Sequence, residues 1–417
     1  MLVSTRRSSK WFFVVVAGLS PLLLMSTSGG GSASFYVLLA ISVGILAAER
    51  HAPWTPLRQY GPLAAAFSIP LVAVLANQAW HQSWHSSDFE KALRFLLAML
   101  VLAAAVRIPR QQLRHAFVGI LAATWYAAIE IARLAYTSHA RPTTKEFNAV
   151  SYGDFTLLFA TISAYSLGFQ LTRHRRLEAA VKLATALAGL GGYILTQTRG
   201  GWLAVPFFVL IAVIAAGGMA MRYKLLSVAT LLAAAALIMH ADQSLRSRID
   251  IGMAQYRNCA TSPLDDNSIC IRLQLWHSAW GMFKAEPLVG VGGGDRFRER
   301  LRTLHEEGKV SAFVATRFGE THNDVLFFLA TYGLPGGLGI LAIYAVPGWY
   351  FARRLSSQDA LRRTAAAAGL ALCVGFAVFG MTEMMFRGMR TAALYAAWIA
   401  IFMALSHPGA DDSTTSS

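Results

Sequence analysis

Two arginines and a histidine stand at the edges of apolar runs, where an ionisable side chain is costly unless it reaches water or meets a partner. Arg199 lies in Thr196-Gln197-Thr198-Arg199-Gly200-Gly201-Trp202-Leu203, between two apolar runs with almost no loop. Gly200 and Gly201 let a ligand approach the backbone closely, and they open a helix whose N-terminus favours negative charge. The plainer alternative is an arginine anchoring a helix end to lipid headgroups. His322, followed by Asn323, opens another apolar run in Glu320-Thr321-His322-Asn323-Asp324. Its unperturbed pKa near ~6.5 lets it take a proton at neutral pH. A lone histidine there is more often a satisfied interfacial residue. Downstream, however, Gly333-Leu334-Pro335-Gly336 breaks the helix in mid-membrane and implies a packed or cavity-lining site. Arg272 lies in Cys270-Ile271-Arg272-Leu273-Gln274-Leu275-Trp276. Ile271, Leu275, Ala279 and Met282 recur at helical spacing, which predicts an amphipathic helix lying on the membrane with Arg272 at its start. A pure surface helix would need no function. Together these residues offer guanidinium forks, which grip phosphate oxygens at any working pH, and an imidazole able to accept a proton.

The elements that must position them are membrane spans. The chain has 417 residues, 55% of them hydrophobic and 14% charged, against about 25% charged in a soluble domain. A net charge of +15 would suggest nucleic acid if it lay on one solvated face, but it falls in short clusters between apolar runs, so no nucleic acid partner is expected. Twelve runs are long enough to span, centred near Val16, Ile41, Pro70, Met99, Ala127, Ala164, Ala186, Ile211, Ala233, Gly336, Val374 and Ile399. The N-terminal run follows a basic start but lacks a small-residue cleavage site, which reads as an uncleaved first helix. Alternate short loops carry seventeen basic residues, among them Arg107, Arg110, Arg353 and Arg362. The opposite loops carry five, Arg141, Lys145, Arg199, Arg387 and Arg390. That asymmetry places both termini in the cytoplasm. The resulting organisation is spans one to nine over residues 1–240, a periplasmic loop over 241–321, spans ten to twelve over 322–405 and a disordered cytoplasmic tail over 406–417. The loop's eleven basic residues nearly balance its ten acidic ones, so individual arginines must carry any anion binding there.

Other residues carry weaker signals. Cys259 and Cys270 share the loop and can pair if it faces an oxidising compartment, while Cys373 reads as core. Glu130 and Arg133, three apart in the fifth span, should pair with each other. Asp154 and Glu383 near span ends read as structural and solvated, with lining a substrate path as the alternative for each. His81 and His85, four apart and near Asp88, have zinc-ligand spacing on a helix, but Trp80 and Trp84 beside them favour an interfacial aromatic segment. No metal and no cofactor are expected: the first outer loop, residues 26–34, has no carboxylate, and no phosphate-binding or dinucleotide fingerprint appears.

At these residues the sequence resembles the O-antigen ligase and polymerase superfamily. The ligase signature, His then Asn, nine residues, Gly, two residues and Gly, is matched by His322, Asn323, Gly333 and Gly336. A second pattern, Arg, three residues, Leu, is matched by Arg199 and Leu203, and Glu286-Pro287-Leu288-Val289-Gly290-Val291-Gly292 resembles a segment these proteins carry in their large periplasmic loop. The resemblance covers mainly residues 196–340. It implies an all-α polytopic fold of about twelve spans like C-type glycosyltransferases, in the bacterial inner membrane with the active site periplasmic. It implies transfer of O-antigen from undecaprenyl pyrophosphate to a lipid A-core sugar, without metal or ATP. Arg199 and Arg272 would then bind the donor pyrophosphate and His322 would act on the acceptor hydroxyl, with Asn323, Gly200, Gly201, Gly333 and Gly336 in support. The nearest alternative is an O-antigen polymerase using a second lipid-linked glycan as acceptor. A secondary transporter would show internal repeats and charges near the bilayer centre, and neither is apparent.

Overall fold

The computed structural model describes residues 2–51, 55–138, 141–217, 243–407 and the single positions 222, 226 and 229. The expected ninth span, near Ala233, lies outside the described residues, as does most of the expected tail. The remaining expected spans coincide with helices. These are α1 (Leu2–Ser26), α2 (Gly30–Ala48), α3 (Gly61–Trp80), α4 (Ser86–Ala105), α5 (Phe117–Ser138), α6 (Ala149–Tyr165), α7 (Arg175–Leu195) and α8 (Val205–Ala215). After α8 come four helices of the expected loop, α9 (Gln243–Thr261), α10 (Ser268–Ala285), α11 (Arg296–Glu306) and α12 (Ala312–Arg317). Three long helices close the chain, α13 (Asp324–Ala352), α14 (Ala360–Phe379) and α15 (Met389–Leu405). Among the described residues, seven helices are long and apolar enough to cross a membrane. The chain is therefore a multi-pass helical membrane protein. Four helices at expected spans fall short: α4 begins with Asp88, Glu90, Lys91 and Arg94, and α6, α8 and α15 have 17, 11 and 17 residues.

The last helices sit at the centre of the molecule. Residues 391–405 of α15 are buried throughout, which demands neighbours on every side. Helix α15 packs on α2, α4 and α14, α14 packs on α6, α8 and α13, and α13 packs along α3. One buried charge in this bundle, Arg94, is held by local partners. Arg94 donates to Ser32 Oγ at 2.8 Å and to the Met389 carbonyl at 2.6 Å, and pairs with Glu90 at 2.5 Å, tying α2, α4 and the start of α15 together. Glu130 and Arg133 form the expected pair, at 2.5 Å.

The stripe expected on α10 exists, but it does not lie on the membrane. Leu275, Ala279 and Met282 are buried together with Phe297 and Leu301 of α11, Val314 of α12 and Ala330 of α13. A protein surface covers the stripe in place of lipid. Cys259 and Cys270 are joined in a disulfide linking α9 to α10, and Cys373 is a buried free thiol.

The helix break expected near Gly333 is present, with φ +65° and ψ −159° at that residue inside α13. A break of this kind strands backbone groups that need partners where water is scarce. Here the segment Pro287–Gly292 supplies them. Val291 N–H donates to Ala330 O at 2.9 Å, Gly292 N–H to Thr331 O at 3.1 Å, and Leu334 N–H to Pro287 O at 2.7 Å. Asn77 of α3 adds bonds to Val289 O at 2.6 Å and Thr331 O at 3.0 Å. The break is thus packed by protein: a Cβ at Gly333 would stand 2.6 Å from the Leu288 carbonyl carbon, and one at Gly336 2.5 Å from the Phe328 oxygen.

Candidate functional site

The turn before α13 is built tightly. His322 has φ +50°, a left-handed conformation that histidine adopts more readily than most residues. Asn323 caps α13, its side chain accepting from Leu326 N–H at 3.0 Å. Thr321 holds the turn from within, accepting from Asn323 N–H at 3.1 Å, and Trp276 Nε1 of α10 donates to Thr321 O at 3.0 Å. The Phe318 ring meets the imidazole edge-on at 5.4 Å.

Asp324 fixes a second turn against the first. Its N–H donates to Gly380 O at 2.7 Å, and its carboxylate accepts from Met385 N–H at 3.2 Å, Phe386 N–H at 3.3 Å and Tyr344 Oη at 2.9 Å. The turn so held, between α14 and α15, carries Glu383. His322 Nδ1 lies 3.2 Å from Glu383 Oε1 and 3.1 Å from Glu320 Oε1, and the His322 N–H donates to Glu320 Oε2. Asn148 Nδ2, at the cap of α6, donates to Glu383 Oε2 at 3.1 Å, and Arg387 Nη1 stands 3.7 Å from Glu320. Glu383 and Asp154 are both buried, at 6% and 0% exposure, which corrects the expectation that they are solvated. The reason is tertiary: neighbouring turns cover both helix ends.

With Nδ1 facing two carboxylates, the imidazole carries its hydrogen there and leaves Nε2 to accept a proton. Burial works against an imidazolium, but the hydrogen bond to Glu383 and the charges of Glu320 and Glu383 outweigh both burial and Arg272, so His322 is held above its ordinary value. Burial also acts on Glu383, yet the hydrogen bond and charge of His322, with the Asn148 amide and the Met384 N–H, bring it below the usual range. Glu320 is held above that range by burial, against the opposing pull of His322.

Of the arginines expected here, Arg272 faces the histidine turn from α10, one helical turn before Trp276. Its Nη1 donates to Ser268 Oγ at 2.7 Å, and its charge is felt at His322. Arg199 is exposed at the turn before α8. The next residue, Gly200, abuts Thr382, where an added Cβ would stand 2.5 Å from Oγ1. The Arg199 turn therefore adjoins the turn that carries Glu383. This explains the two glycines differently from the expectation of a ligand approaching the backbone: a Cβ at Gly201 would stand 2.7 Å from Asp154 Oδ1 and from Tyr193 Oη. They make room for protein neighbours. Gly333 and Gly336 act at the break in α13 and not at His322.

His81 and Asp88 serve as a clasp, and the His85 ring lies against Gly294 of the same loop. His81 Nε2 bonds to Gly290 O at 2.8 Å, its Nδ1 meets Arg296 at 3.2 Å, and Asp88 accepts from Gly294 N–H at 3.1 Å and pairs with Lys91 at 2.9 Å. Their spacing reflects a grip on the loop after α10. Among the described residues, Glu320, His322 and Glu383 do place ligand atoms within 4.8 Å of one another, close enough to hold a metal ion. Both carboxylates address one imidazole nitrogen, and Arg387 flanks them, which is the arrangement of an ion-pair cluster. Glu320, Asn148 and Asp324 carry no site signal in the sequence, and Glu383 carries only the weak one of a carboxylate near a span end. Glu320 stands two residues from His322, but nothing in the spacing marks Glu383, sixty-one positions on.

Residues 184–341 match the O-antigen ligase family. The matched stretch contains Arg199, Arg272, His322 and the break at Gly333, so the family expected from the motifs is the family matched. Glu383 lies beyond it. An uncharacterized protein of Haemophilus influenzae is 25% identical over 191 residues, 43% of this chain and 44% of the relative. The match thus spans less than half the length of that relative.

Proposed function

We propose that this chain is an O-antigen ligase of the bacterial inner membrane, with both termini cytoplasmic and residues 241–321 in the periplasm. It transfers a glycan from undecaprenyl pyrophosphate to a hydroxyl of a lipid A-core sugar. The observation that carries this reading is the His322 turn: Nδ1 is held by Glu320 and Glu383, so Nε2 is left to take a proton beside Arg272.

The donor sugar C1 already bears a competent leaving group, and the diphosphate needs charge stabilisation in place of protonation. Arg199 and Arg272 supply it, with forks that meet phosphate oxygens and cannot lose their charge. Donors aimed at developing charge in a partly dry site contribute about 3 to 4 kcal/mol each. The acceptor oxygen attacks C1 opposite the diphosphate. As the O–C1 bond forms and the bond from C1 to the phosphate oxygen breaks, the hydroxyl proton passes to His322 Nε2, and the anomeric centre inverts. The ion pairs to Glu320 and Glu383 stabilise the imidazolium that results.

The test is reconstitution. Purified protein, lipid-pyrophosphate-linked glycan and lipid A-core are mixed with a chelator and without ATP, and a heavier lipopolysaccharide is the expected product. Joining of two lipid-linked glycans with lipid A-core left unmodified would assign the chain to the polymerases. Transport of substrate into proteoliposomes with no glycan joined would refute both.

A further inference from the structure

One cation beside the His322 turn has no part in the reaction as described. Arg298 sits in the first turn of α11, a helix anchored by Phe297, which is buried and meets Phe327 of α13 at 5.5 Å. Its guanidinium lies against Gly319: a Cβ there would stand 2.9 Å from Nη2, 3.2 Å from Nε and 3.3 Å from Cζ. Gly319 immediately precedes Glu320, the carboxylate that holds His322. Arg298 Nε is buried with no hydrogen-bond partner among the described residues, and Nη1 makes a loose 3.5 Å contact with Asp295. The side chain is 37% exposed. An arginine whose guanidinium is seated against a bare glycine, whose inner nitrogen is unmet and whose outer edge reaches solvent is a pre-set anion receptor.

The side of the turn from which it acts identifies the anion. The Glu383 face of the turn is made by the span ends and adjoins Arg199, the side from which a lipid-borne donor arrives. The Gly319 face is covered by α11, a helix of the inter-span segment. On the ligase reading the donor diphosphate is held by Arg199 and Arg272, so the anion left for Arg298, on a helix of the inter-span segment, is a substituent of the acceptor glycan.

We propose that Arg298 forms an anion subsite that binds a phosphate or carboxylate substituent of the acceptor glycan and so sets its hydroxyl against His322. This rests on the ligase reading above and adds a recognition element to it. The bare face of Gly319 belongs to the same device, because it lets the guanidinium lie flat beside the reacting centre.

The test measures acceptor and donor KM separately in the full-length protein, for the wild type, Arg298→Gln, Arg298→Lys and Gly319→Ala. A charge-assisted bidentate contact predicts a rise in acceptor KM of about tenfold to a hundredfold for Arg298→Gln, with a much smaller change in kcat and donor KM. Arg298→Lys recovers part of the loss. Gly319→Ala acts in the same direction, because its methyl pushes the guanidinium aside without touching a charged group. Acceptor treated with phosphatase, or amidated at its carboxylates, identifies the substituent: the treatment that matters weakens wild-type binding to the level of Arg298→Gln and abolishes the difference between them. An unchanged acceptor KM, a rise in donor KM instead, or an equal loss with treated and untreated acceptors overturns the proposal. Equilibrium binding of the same acceptors to His322→Ala protein, with and without Arg298→Gln, reads the subsite without turnover. Absence of any transfer by wild type would count against the ligase reading, while this binding measurement still decides the subsite.

Discussion

His322 is held by two buried carboxylates, and that arrangement has a measurable pH consequence. The neutral imidazole is the active base, so activity falls on the acid side as His322 takes its proton. Because its pKa is raised, the acid limb should have its midpoint above the ~6.5 of an ordinary histidine. Glu383→Gln removes a charge that favours the imidazolium and should move that midpoint down; a midpoint that stays in place would assign the limb to another group. His322→Ala should lose about 10²- to 10⁴-fold in transfer while the protein still inserts, and normal ligation by that variant would remove the base from the mechanism. Arg199→Lys keeps the charge but loses the fork. Strong impairment of donor use is expected, and near-normal rates would make Arg199 a headgroup anchor. The candidate residues Arg199 and His322 were legible because they sit in short local patterns, and so was the helix break at Gly333. Glu383 was not, because only the fold of the last two helices brings it to Nδ1. The burial of Asp154 is likewise tertiary, set by the Gly201 turn that lies against it.

Among the elements, the pairing of α13 with the segment Pro287–Gly292 is the most exposed to perturbation. Gly333→Ala forces a side chain into a left-handed residue and against Leu288, and strain of this kind costs about 1 to 3 kcal/mol before the clash is counted. A clear drop in the unfolding midpoint in detergent is expected, and an unchanged midpoint would mean that the break relaxes into continuous helix. The sequence announced the break but not its partner. Its periodicity described α10 correctly as amphipathic but pointed to the membrane as the cover where protein supplies it, since a stripe facing lipid and one facing protein have the same pattern.

For the molecule as a whole, the proposed orientation places Lys309 outside and Arg353 inside. Single cysteines at these positions, introduced into a Cys373→Ser background with the Cys259–Cys270 bridge intact, should label differently in whole cells: position 309 with an impermeant maleimide, position 353 after permeabilisation alone. The reverse pattern would invert the topology. Hydrophobic run length made the class of fold legible, because it follows from the bilayer as solvent. Run length was less informative where spans carry charge, as in α4, whose Arg94 is tolerated because Ser32, Glu90 and Met389 surround it.

The break in α13 also bears on how the protein is made. Every group that completes it comes earlier in the chain: Asn77 on α3, then residues 287–292. During synthesis, the acceptors and donors that a kinked helix requires have therefore already left the ribosome when residues 324–352 enter the lipid. A circular permutant that began at residue 324 would deliver the same helix to the translocon with its carbonyls at 330 and 331 unmet, and biogenesis would stall at a step that the natural order of synthesis avoids.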